Sequence, residues 1–321
     1  MAMQIGHITL PNPILMAPMA GVTDRVFRAL VARHGAGLTF SEMVSAKSII
    51  YNNQNTHRLL ENDTAVRPWA VQFFGSEPEV LAAAIRRLDE LHGGFAPYDI
   101  VDINMGCPMP KIVKNGEGAA LANDPLLAGR LVAAAVSASS RPVTVKVRKG
   151  FTPARINAAQ MARIAQESGA SCVTVHGRTR DQYYTGEADW QAIADVKAAV
   201  RIPVIGNGDI FSPETAVQRL TNGDVDGIMI ARGAYGNPWL FSRTLAALAT
   251  GEVPPPPDRA EVIATALSHL REATALYGDV RAMRKHLSWY TKGMHGSAEL
   301  RRAINHTETE AGMIALLQRL L

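Results

Sequence analysis

Residues 143–148 read Val-Thr-Val-Lys-Val-Arg, and this stretch decides the fold. In a β-strand, successive side chains point to opposite faces. One face of this strand therefore carries three valines, and the other carries Thr144, Lys146 and Arg148. A parallel strand covered by helices on both faces of an open sheet is normally apolar throughout. A strand with one polar face instead fits a closed barrel, where the polar end of that face reaches the mouth.

The same alternation recurs in three other short apolar runs, which carry Gln72, Asp102 with Asn104, and Thr174 with His176. We predict eight strands, at residues 14–16, 38–42, 69–73, 99–104, 142–148, 172–176, 203–207 and 227–231. Amphipathic stretches between them predict helices at 23–33, 77–91, 125–138, 154–168, 190–199 and 213–221. A doubly wound open sheet is the competing arrangement, but the alternation favours a (β/α)₈ TIM barrel of about 250 residues.

The chain beyond the eighth strand predicts a second, smaller unit. Residues 1–250 form the barrel domain in this interpretation, and residues 251–257 form a linker that includes four consecutive prolines. Such a proline run is a stiff, extended spacer. Residues 258–321 then form a small helical domain, with helices expected at 258–277, 280–292 and 311–321.

Composition excludes several classes of protein. The chain has 321 residues, of which 47% are hydrophobic and 19% charged, and this composition is typical of a globular protein. It has no apolar run of the roughly 18 residues that a membrane span needs, and no recognisable secretory signal. Two cysteines cannot form a disulfide framework, so we expect the reducing cytoplasm. The net charge of +4 permits a polyanionic partner without requiring one.

Motifs for metals and for dinucleotides are missing from the sequence. It contains neither a Cys-x-x-Cys pair nor His-Glu-x-x-His, so we expect no metal. It also lacks Gly-x-Gly-x-x-Gly after a strand, so we expect no Rossmann nicotinamide site.

Cys107 is the strongest candidate for a reactive group. It lies between Gly106 and Pro108, just after a predicted strand, where a sharp turn would present the thiol at the barrel mouth. A thiol with a pKa of about 8.5 is mostly protonated at neutral pH, and no histidine base accompanies it in a motif. We therefore predict a general acid. Cys172 lies inside a strand and is interpreted as an inert core residue.

Two glycine-containing loops predict a phosphate site. Residues 206–209 read Gly-Asn-Gly-Asp after the seventh strand, and residues 231–233 read Ala-Arg-Gly after the eighth. TIM barrels build phosphate sites from these two loops, through backbone N–H groups. Arg232 would add a bidentate cation. The alternative is that the glycines serve turn geometry alone.

Lys146 and His176 both point toward the predicted mouth. A buried lysine is costly unless it is paired or faces an anion, so Lys146 either meets an anionic ligand or pairs with Glu42 or Asp102. His176 is either a site residue or a core histidine with satisfied hydrogen bonds.

Basic and aromatic residues alternate in two places. Residues 178–184 read Arg-Thr-Arg-Asp-Gln-Tyr-Tyr, which suits phosphate pairing with base stacking but also an ordinary solvated loop. The predicted tail helix combines the basic residues 281, 284, 285, 286 and 292 with Trp289 and Tyr290. A charged helix face is by itself weak evidence for nucleic-acid binding.

These motifs together resemble the tRNA-dihydrouridine synthase family, most closely its bacterial B-type branch, over about residues 5–290. The most specific is Asn-Met-Gly-Cys-Pro at residues 104–108. The other matching segments are 17–24, 41–43, 71–72, Lys111, 118–119, 146–148, 176–180, 207–209 and 284–290. One departure is Ala231, where relatives often carry glycine, so an added methyl affects how closely the backbone approaches a phosphate.

The resemblance implies an FMN enzyme that reduces the C5–C6 double bond of a uridine in tRNA, with NADPH as electron source. Cys107 would protonate C5. The cofactor-binding residues implied are Pro18, Met19, Ala20, Gln72, Lys146, His176, Asn207, Gly208, Asp209, Ala231 and Arg232. The substrate-binding residues implied are Asn104, Arg178, Arg180, Arg284, Lys285 and His286, the last three in a tail that recognises RNA.

Two other functions remain open from the sequence. One is an FMN barrel dehydrogenase that acts on a free pyrimidine, similar to dihydroorotate dehydrogenase. It leaves the basic, aromatic tail unexplained. The other is a catalytically idle flavin-binding or RNA-binding regulator, against which the intact Cys107 and Lys146 argue.

Overall fold

Eight parallel strands form the centre of the fold. The computed structural model describes residues 2–51, 53–90 and 97–321. The strands are β1 (Met3–Ile5), β2 (Ile8–Leu10), β3 (Ile14–Met16), β4 (Thr39–Phe40), β5 (Val44–Ser45), β6 (Trp69–Phe74), β7 (Ile100–Met105), β8 (Val143–Thr152), β9 (Arg155–Ile156), β10 (Cys172–Thr179), β11 (Val204–Asn207) and β12 (Gly227–Ile230). The central sheet has the order β3-β12-β11-β10-β8-β7-β6-β4. A parallel bridge between Leu15 and Leu38 joins its two ends into a barrel.

Helices surround this barrel and follow it in the chain. They are α1 (Arg25–Arg33), α2 (Ala46–Ile50), α3 (Gln54–Leu60), α4 (Pro78–Glu90), α5 (Pro110–Val113), α6 (Pro125–Ala138), α7 (Ala158–Glu167), α8 (Trp190–Ala199), α9 (Pro213–Thr221), α10 (Trp239–Thr250), α11 (Arg259–Tyr277), α12 (Met283–Tyr290), α13 (Ser297–His306) and α14 (Glu310–Gln318). Side-chain caps begin several of them. Asp24, Ser212 and Asp258 each accept a backbone N–H from the first helical turn. None of the described helices is long and apolar enough to cross a membrane.

The strand register confirms the alternation that the sequence predicts. Val143, Val145 and Val147 are buried in the layer between barrel and helices. Lys146 is paired in register with Asn104 on one side and Thr174 on the other, so the polar side chains of three strands stand at one level inside the barrel. The TIM-barrel prediction is therefore confirmed, together with helices after it.

The N-terminal hairpin of β1 and β2 packs against the barrel interior at the end opposite the mouth. Ile5 and Leu10 belong to one apolar cluster with inward-facing Ile100, Cys172 and Ile205. The cluster excludes water from the end of the barrel opposite the mouth. It also places Cys172 in the core, as its interpretation as an inert residue requires, since only 1% of that residue is exposed.

Several predicted boundaries differ from the structure. The helix predicted at 154–168 begins only at Ala158, because residues 155–156 pair back onto β8 as an antiparallel strand. The helix predicted at 77–91 is α4, of which Leu91 lies outside the described residues. Absent from the prediction are the hairpin β1–β2, the strands β5 and β9, and the helices α2, α3, α5, α10 and α13.

The tail helices α11 to α14 share an apolar core with the barrel. Phe27 of α1 stacks on His269 of α11, with ring centroids 5.8 Å apart. Buried Leu287 and Leu317 belong to the same cluster as the outer faces of the barrel strands. In the predicted linker, the carbonyl of Pro254 accepts two hydrogen bonds from Arg243, at 2.8 and 3.0 Å. The tail is thus packed onto the barrel, while its separation into a domain remains a prediction.

Candidate active site

A cavity of about 390 Å³ opens at the C-terminal ends of the barrel strands. We call it the mouth cavity. Its walls come from inward-facing side chains of β6, β8 and β10 and from the loops after β3, β7, β11 and β12. It brings together all the predicted cofactor-binding residues with Asn104 and Cys107: Pro18, Met19, Ala20, Gln72, Asn104, Cys107, Lys146, His176, Asn207, Gly208, Asp209, Ala231 and Arg232.

A buried hydrogen-bond network fixes the orientation of Gln72. Its amide nitrogen donates to Asp102 at 2.6 Å, and its amide oxygen accepts from Asn104 at 2.8 Å. Asp102 also accepts from the hydroxyl of Thr144 at 2.6 Å. Burial raises the pKa of Asp102 to about 6. The sequence indicates Asp102 only as a possible partner of Lys146, whereas the structure makes it the anchor of Gln72.

The thiol of Cys107 lies in the mouth cavity on a tightly held turn. The side-chain oxygen of Asn104 accepts the backbone N–H of Cys107 at 2.8 Å, and the Cys107 carbonyl accepts the N–H of Ala119 at 3.0 Å. Gly118 has φ +59°, and a Cβ there would press on the Cys107 carbonyl at 2.9 Å. Burial raises the pKa of the thiol, although Arg148 and Lys146 oppose that effect. The thiol is therefore neutral at physiological pH and holds a proton that it can donate.

Lys146 reaches across the barrel to Asn207, to whose side-chain oxygen it donates at 3.1 Å. It makes no ion pair with the described residues, so the alternative of pairing with Glu42 or Asp102 is not what the structure shows. Burial and the neighbouring Arg148 lower the pKa of Lys146 to about 8. A cation held without a carboxylate partner in a cavity is available to an anionic ligand.

His176 lies beside this lysine and is buried. Burial first, and then the charges of Lys146 and Arg148, hold the pKa of His176 well below its ordinary value. Its imidazole is therefore neutral at physiological pH. It can donate or accept a hydrogen bond in the cavity but supplies no positive charge.

The two glycine-containing loops come close together at the rim of the mouth cavity. Gly208 has φ +136°, and a Cβ there would overlap the side chain of Ala188. A Cβ on Gly233 would overlap the carbonyl oxygen of Ile210. Both positions therefore require glycine, and glycine-containing loops of this kind can direct backbone N–H groups at a phosphate. Ala231 lines the cavity directly before Arg232.

Arg178 is buried beneath this loop pair, and only 2% of it is exposed. Its guanidinium donates to the carbonyls of Thr185 and Gly186 and to the carboxylate of Asp209, the last at 2.7 Å. The expected contact with a substrate base or phosphate stays a prediction, and in this structure protein acceptors already contact the guanidinium. Arg178 holds Asp209, which also pairs with Arg232 at 3.3 Å.

Arg180 lies outside the mouth cavity. Its guanidinium pairs with Asp181 at 3.0 Å and lies over the rings of Phe151 and Tyr183, at 5.4 Å from each centroid. The side chain keeps 22% exposure, so it remains a candidate for an RNA contact at the rim.

The three predicted tail residues occupy different places. Lys285 reaches the loop after β3, where its ammonium nitrogen would lie 3.3 Å from a Cβ on Gly21. Arg284 donates to the carbonyl of Thr307 at 3.0 Å. His286 is only 1% exposed and packs on Phe27 with ring centroids 5.2 Å apart. The RNA contact expected at His286 stays a prediction, and in this structure the ring is part of the core between tail and barrel.

Tyr235 is a cavity residue that the sequence motifs do not indicate. It follows β12 and lines the mouth cavity, and its ring stacks on Trp289 of α12 at 3.9 Å with an interplanar angle of 8°. The next residue, Gly236, has φ +64° and would press a Cβ against the backbone of Trp289. The tail thus supports one wall of the cavity. In the sequence, the adjacent aromatic residues Trp289 and Tyr290 are the signal that could have indicated a contact between the tail and the barrel mouth.

The family model described as dihydrouridine synthase (Dus) matches residues 15–321. The chain is 44% identical over 317 residues to "tRNA-dihydrouridine synthase B" of Xanthomonas axonopodis pv. citri, covering 98% of this chain and 94% of that protein. It is 43% identical over 312 residues to the protein of the same name in Pseudomonas putida, covering 96% of this chain and 90% of that protein.

Solved structures with the same barrel are much more distant in sequence. Histamine dehydrogenase from Rhizobium sp. 4-9 has a TM-score of 0.57 at 14% identity, covering 78% of this chain and 48% of that chain. Morphinone reductase in complex with tetrahydroNAD has a TM-score of 0.54 at 15% identity, covering 82% and 93%. At such identities these likenesses show the fold alone.

Proposed function

The chain belongs to the dihydrouridine synthase family. On that premise we propose that it reduces the C5–C6 double bond of a uridine in tRNA. FMN would be its flavin, and NADPH would be its electron donor. The proposal rests on the set of residues that face the mouth cavity. A neutral thiol on Cys107, an unpaired cation on Lys146 and a glycine-lined loop pair beside Arg232 all face the same space.

The residues of the mouth cavity fit FMN. The loops at Gly208 and Gly233, which leave no room for side chains, would bring backbone N–H groups to the phosphate, with Arg232 as the counter-charge. Lys146 and Gln72 would meet the polar edge of the ring system, and residues 18–20 would lie beneath it. When bound, FMN supplies the hydride that adds to the pyrimidine ring.

Cys107 would supply the proton that completes the reduction. Its raised pKa keeps the proton on the sulfur until a carbon atom of the substrate accepts it. Arg148 and Lys146, which favour the ionised sulfur, would stabilise the thiolate left after transfer. Asn104 fixes the turn that carries the thiol, and from the cavity wall it would contact the uracil.

The uridine must leave the folded RNA to reach this cavity. The tail, residues 258–321, would bind that RNA through partly exposed basic residues such as Lys285 and Arg284, with Arg180 on the barrel side. The net charge of +4 favours association with a polyanion. We expect the protein to act in the cytoplasm, where its substrate is found.

The direct test is reduction of an unmodified tRNA transcript. Protein loaded with FMN, mixed with NADPH and the transcript, should form dihydrouridine that mass spectrometry detects, and NADH in place of NADPH tests the donor. If NADPH is oxidised without any dihydrouridine in tRNA, and orotate or uracil is reduced instead, the dehydrogenase alternative replaces this proposal.

The role of Cys107 is tested by separating the two half-reactions. In Cys107→Ala, NADPH should still reduce the flavin, whereas reoxidation by tRNA should slow by roughly 10²–10⁴-fold, the usual contribution of one positioned acid. Cys172→Ala is the matched control, because that thiol is buried away from the mouth. Normal reoxidation of Cys107→Ala by tRNA would assign the proton to another group.

Loss of Arg232 tests the phosphate site. Arg232→Ala should retain FMN less well, because it removes a charge-assisted contact of about 1.5–3 kcal/mol. Equilibrium dialysis of FMN measures this change, and an unaltered dissociation constant would move the phosphate elsewhere.

A further inference from the structure

A second cavity, of about 480 Å³, opens beside the mouth cavity. We call it the rim cavity and define it by Tyr184, Glu187, Trp190, Phe211, Arg219 and Arg232. It lies between the loop after β10 and the helices α8 and α9. Tyr184, Phe211 and Arg232 line both cavities, so the two are adjacent and Arg232 stands between them.

Arg219 is a cation without an acceptor in this second cavity. Its guanidinium lies over the ring of Trp190, 4.6 Å from the centroid. Its Nε is buried and has no hydrogen-bond partner, and nothing in the described parts of the chain forms an ion pair with it. A partly buried guanidinium without an acceptor is unfavourable, and a bound anion would relieve that cost.

The Trp190 ring under Arg219 is fixed by contacts on the barrel. The indole N–H of Trp190 donates to the carbonyl of Gly208 at 3.2 Å. A Cβ on Gly206 would overlap the same indole, so ring and strand are in close contact. The ring over which Arg219 lies is therefore held against the loop that we assign to the FMN phosphate.

The charges around the rim cavity favour an anion. Its lining holds the cations of Arg178, Arg219 and Arg232 against the carboxylates of Asp209 and Glu187. Asp209 is already paired with two of the arginines, which leaves Arg219 uncompensated except by the exposed Glu187.

Two exposed aromatic rings stand at the same rim. Tyr184 is 53% exposed and Phe211 is 52% exposed. The guanidinium of Arg232 lies between them, 4.9 Å from the centroid of Tyr184 and 5.6 Å from that of Phe211. Exposed aromatic faces next to cations are the elements with which proteins stack a nucleobase and pair its phosphate.

We propose that the rim cavity binds a nucleotide, with its phosphate on Arg219 and its base on Phe211 or Tyr184. This inference rests on the proposed function, which brings two sources of a nucleotide to the mouth. One is the nucleotide next to the target uridine in the RNA strand. The other is the adenosine 2′-phosphate half of NADPH.

Arg219→Gln distinguishes the two sources. If the nucleotide belongs to RNA, the dissociation constant for unmodified tRNA rises about tenfold or more, and the magnitude of the slope of log K against log salt falls by about 0.7, as loss of one phosphate contact to a single strand requires. NADPH-dependent reduction of the flavin then stays unchanged. If the nucleotide belongs to NADPH, the KM for NADPH rises by a similar factor, the KM for NADH does not change, and tRNA binding is unaffected.

Controls separate a site from a general charge effect. Arg163→Gln removes an exposed arginine on α7 and should change neither binding constant. Arg219→Lys keeps the cation and should recover most of the affinity. If Arg219→Gln leaves tRNA binding, adenosine 2′-phosphate binding and both nucleotide KM values unchanged, the proposal is overturned. Binding of tRNA and binding of adenosine 2′-phosphate are both measured without turnover. An inactive wild-type protein would therefore overturn the proposed function but not this inference.

Discussion

The side-chain oxygen of Asn104 accepts the backbone N–H of Cys107 at 2.8 Å. The same oxygen accepts the N–H of Gly106 at 3.1 Å, while the amide nitrogen donates to Gln72 at 2.8 Å. One side chain therefore ties the turn that carries the thiol to the residue proposed to contact the flavin. The relative position of the proton donor and the cofactor depends on this amide.

Asn104→Ala should slow the reoxidation of reduced flavin by tRNA about ten- to a hundredfold, because a displacement of about 1 Å in a reacting group has effects of that size. Asn104→Asp keeps the acceptor for both N–H groups and should recover part of the rate. Stopped-flow absorbance of the flavin measures the rate of reoxidation. Asn305→Ala, an exposed position on α13, is the control. Equal reoxidation rates in wild type and Asn104→Ala would rule out this positioning role.

A second prediction concerns the tail as a support of the cavity wall. Trp289→Ala removes the ring that stacks on Tyr235 at 3.9 Å, and a pair of this kind contributes about 0.5–1.5 kcal/mol. The dissociation constant of FMN should rise by roughly two- to tenfold as Tyr235 loses its support. Trp289→Phe retains an aromatic face and should bind FMN nearly as the wild type does. Fluorescence titration measures the dissociation constant of FMN. Identical constants for the wild type and both variants would show that Trp289 does not support the cavity wall.

Sequence reasoning succeeds here where the information is local. The period of a strand places Thr144 and Lys146 on one face whatever surrounds them, and the structure agrees. The burial of Arg178 and His286 could not be predicted from the sequence, because the partners that bury them, such as Asp209 and Phe27, lie far along the chain. The resemblance implies substrate contacts for both residues, whereas tertiary packing buries both side chains.

Lys146 predicts a pH dependence for FMN binding. Burial lowers its pKa to about 8, so the ammonium is charged at pH 7 and mostly neutral at pH 9. Above about pH 7, where the phosphate of FMN stays fully ionised, the dissociation constant of FMN should therefore rise as the pH passes about 8. Lys146→Arg keeps a charge across this range and should flatten the profile with tight binding, whereas Lys146→Met should flatten it with weak binding. A rise of the same shape in Lys146→Met would attribute the dependence to another group.

Two buried histidines between barrel and tail predict a loss of stability in acid. The rings of His269 and His286 lie 4.8 Å apart. His269 Nδ1 is 3.2 Å from the Tyr290 hydroxyl, whereas both nitrogens of His286 have no partner in the described residues. Burial lowers the pKa of His269 to about 3 and holds that of His286 well below its ordinary value. Both rings are therefore neutral in the folded protein at neutral pH.

The sign of the effect follows from proton uptake on unfolding. In the unfolded chain both histidines have a pKa of about 6.5, so below that pH the unfolded state binds protons that the folded state does not. The free energy of unfolding should be unaffected by this pair above pH 6.5. As the pH falls further it should decrease by about 1.4 kcal/mol per pH unit for each histidine. His286→Leu should remove one of the two contributions and lose little stability at pH 7, since the ring nitrogens give up no hydrogen bond. Urea unfolding between pH 7 and pH 5 measures the slope, with exposed His7→Leu as the control. A slope in His286→Leu equal to that of the wild type would show that the ring is already protonated in the folded state or does not titrate on unfolding.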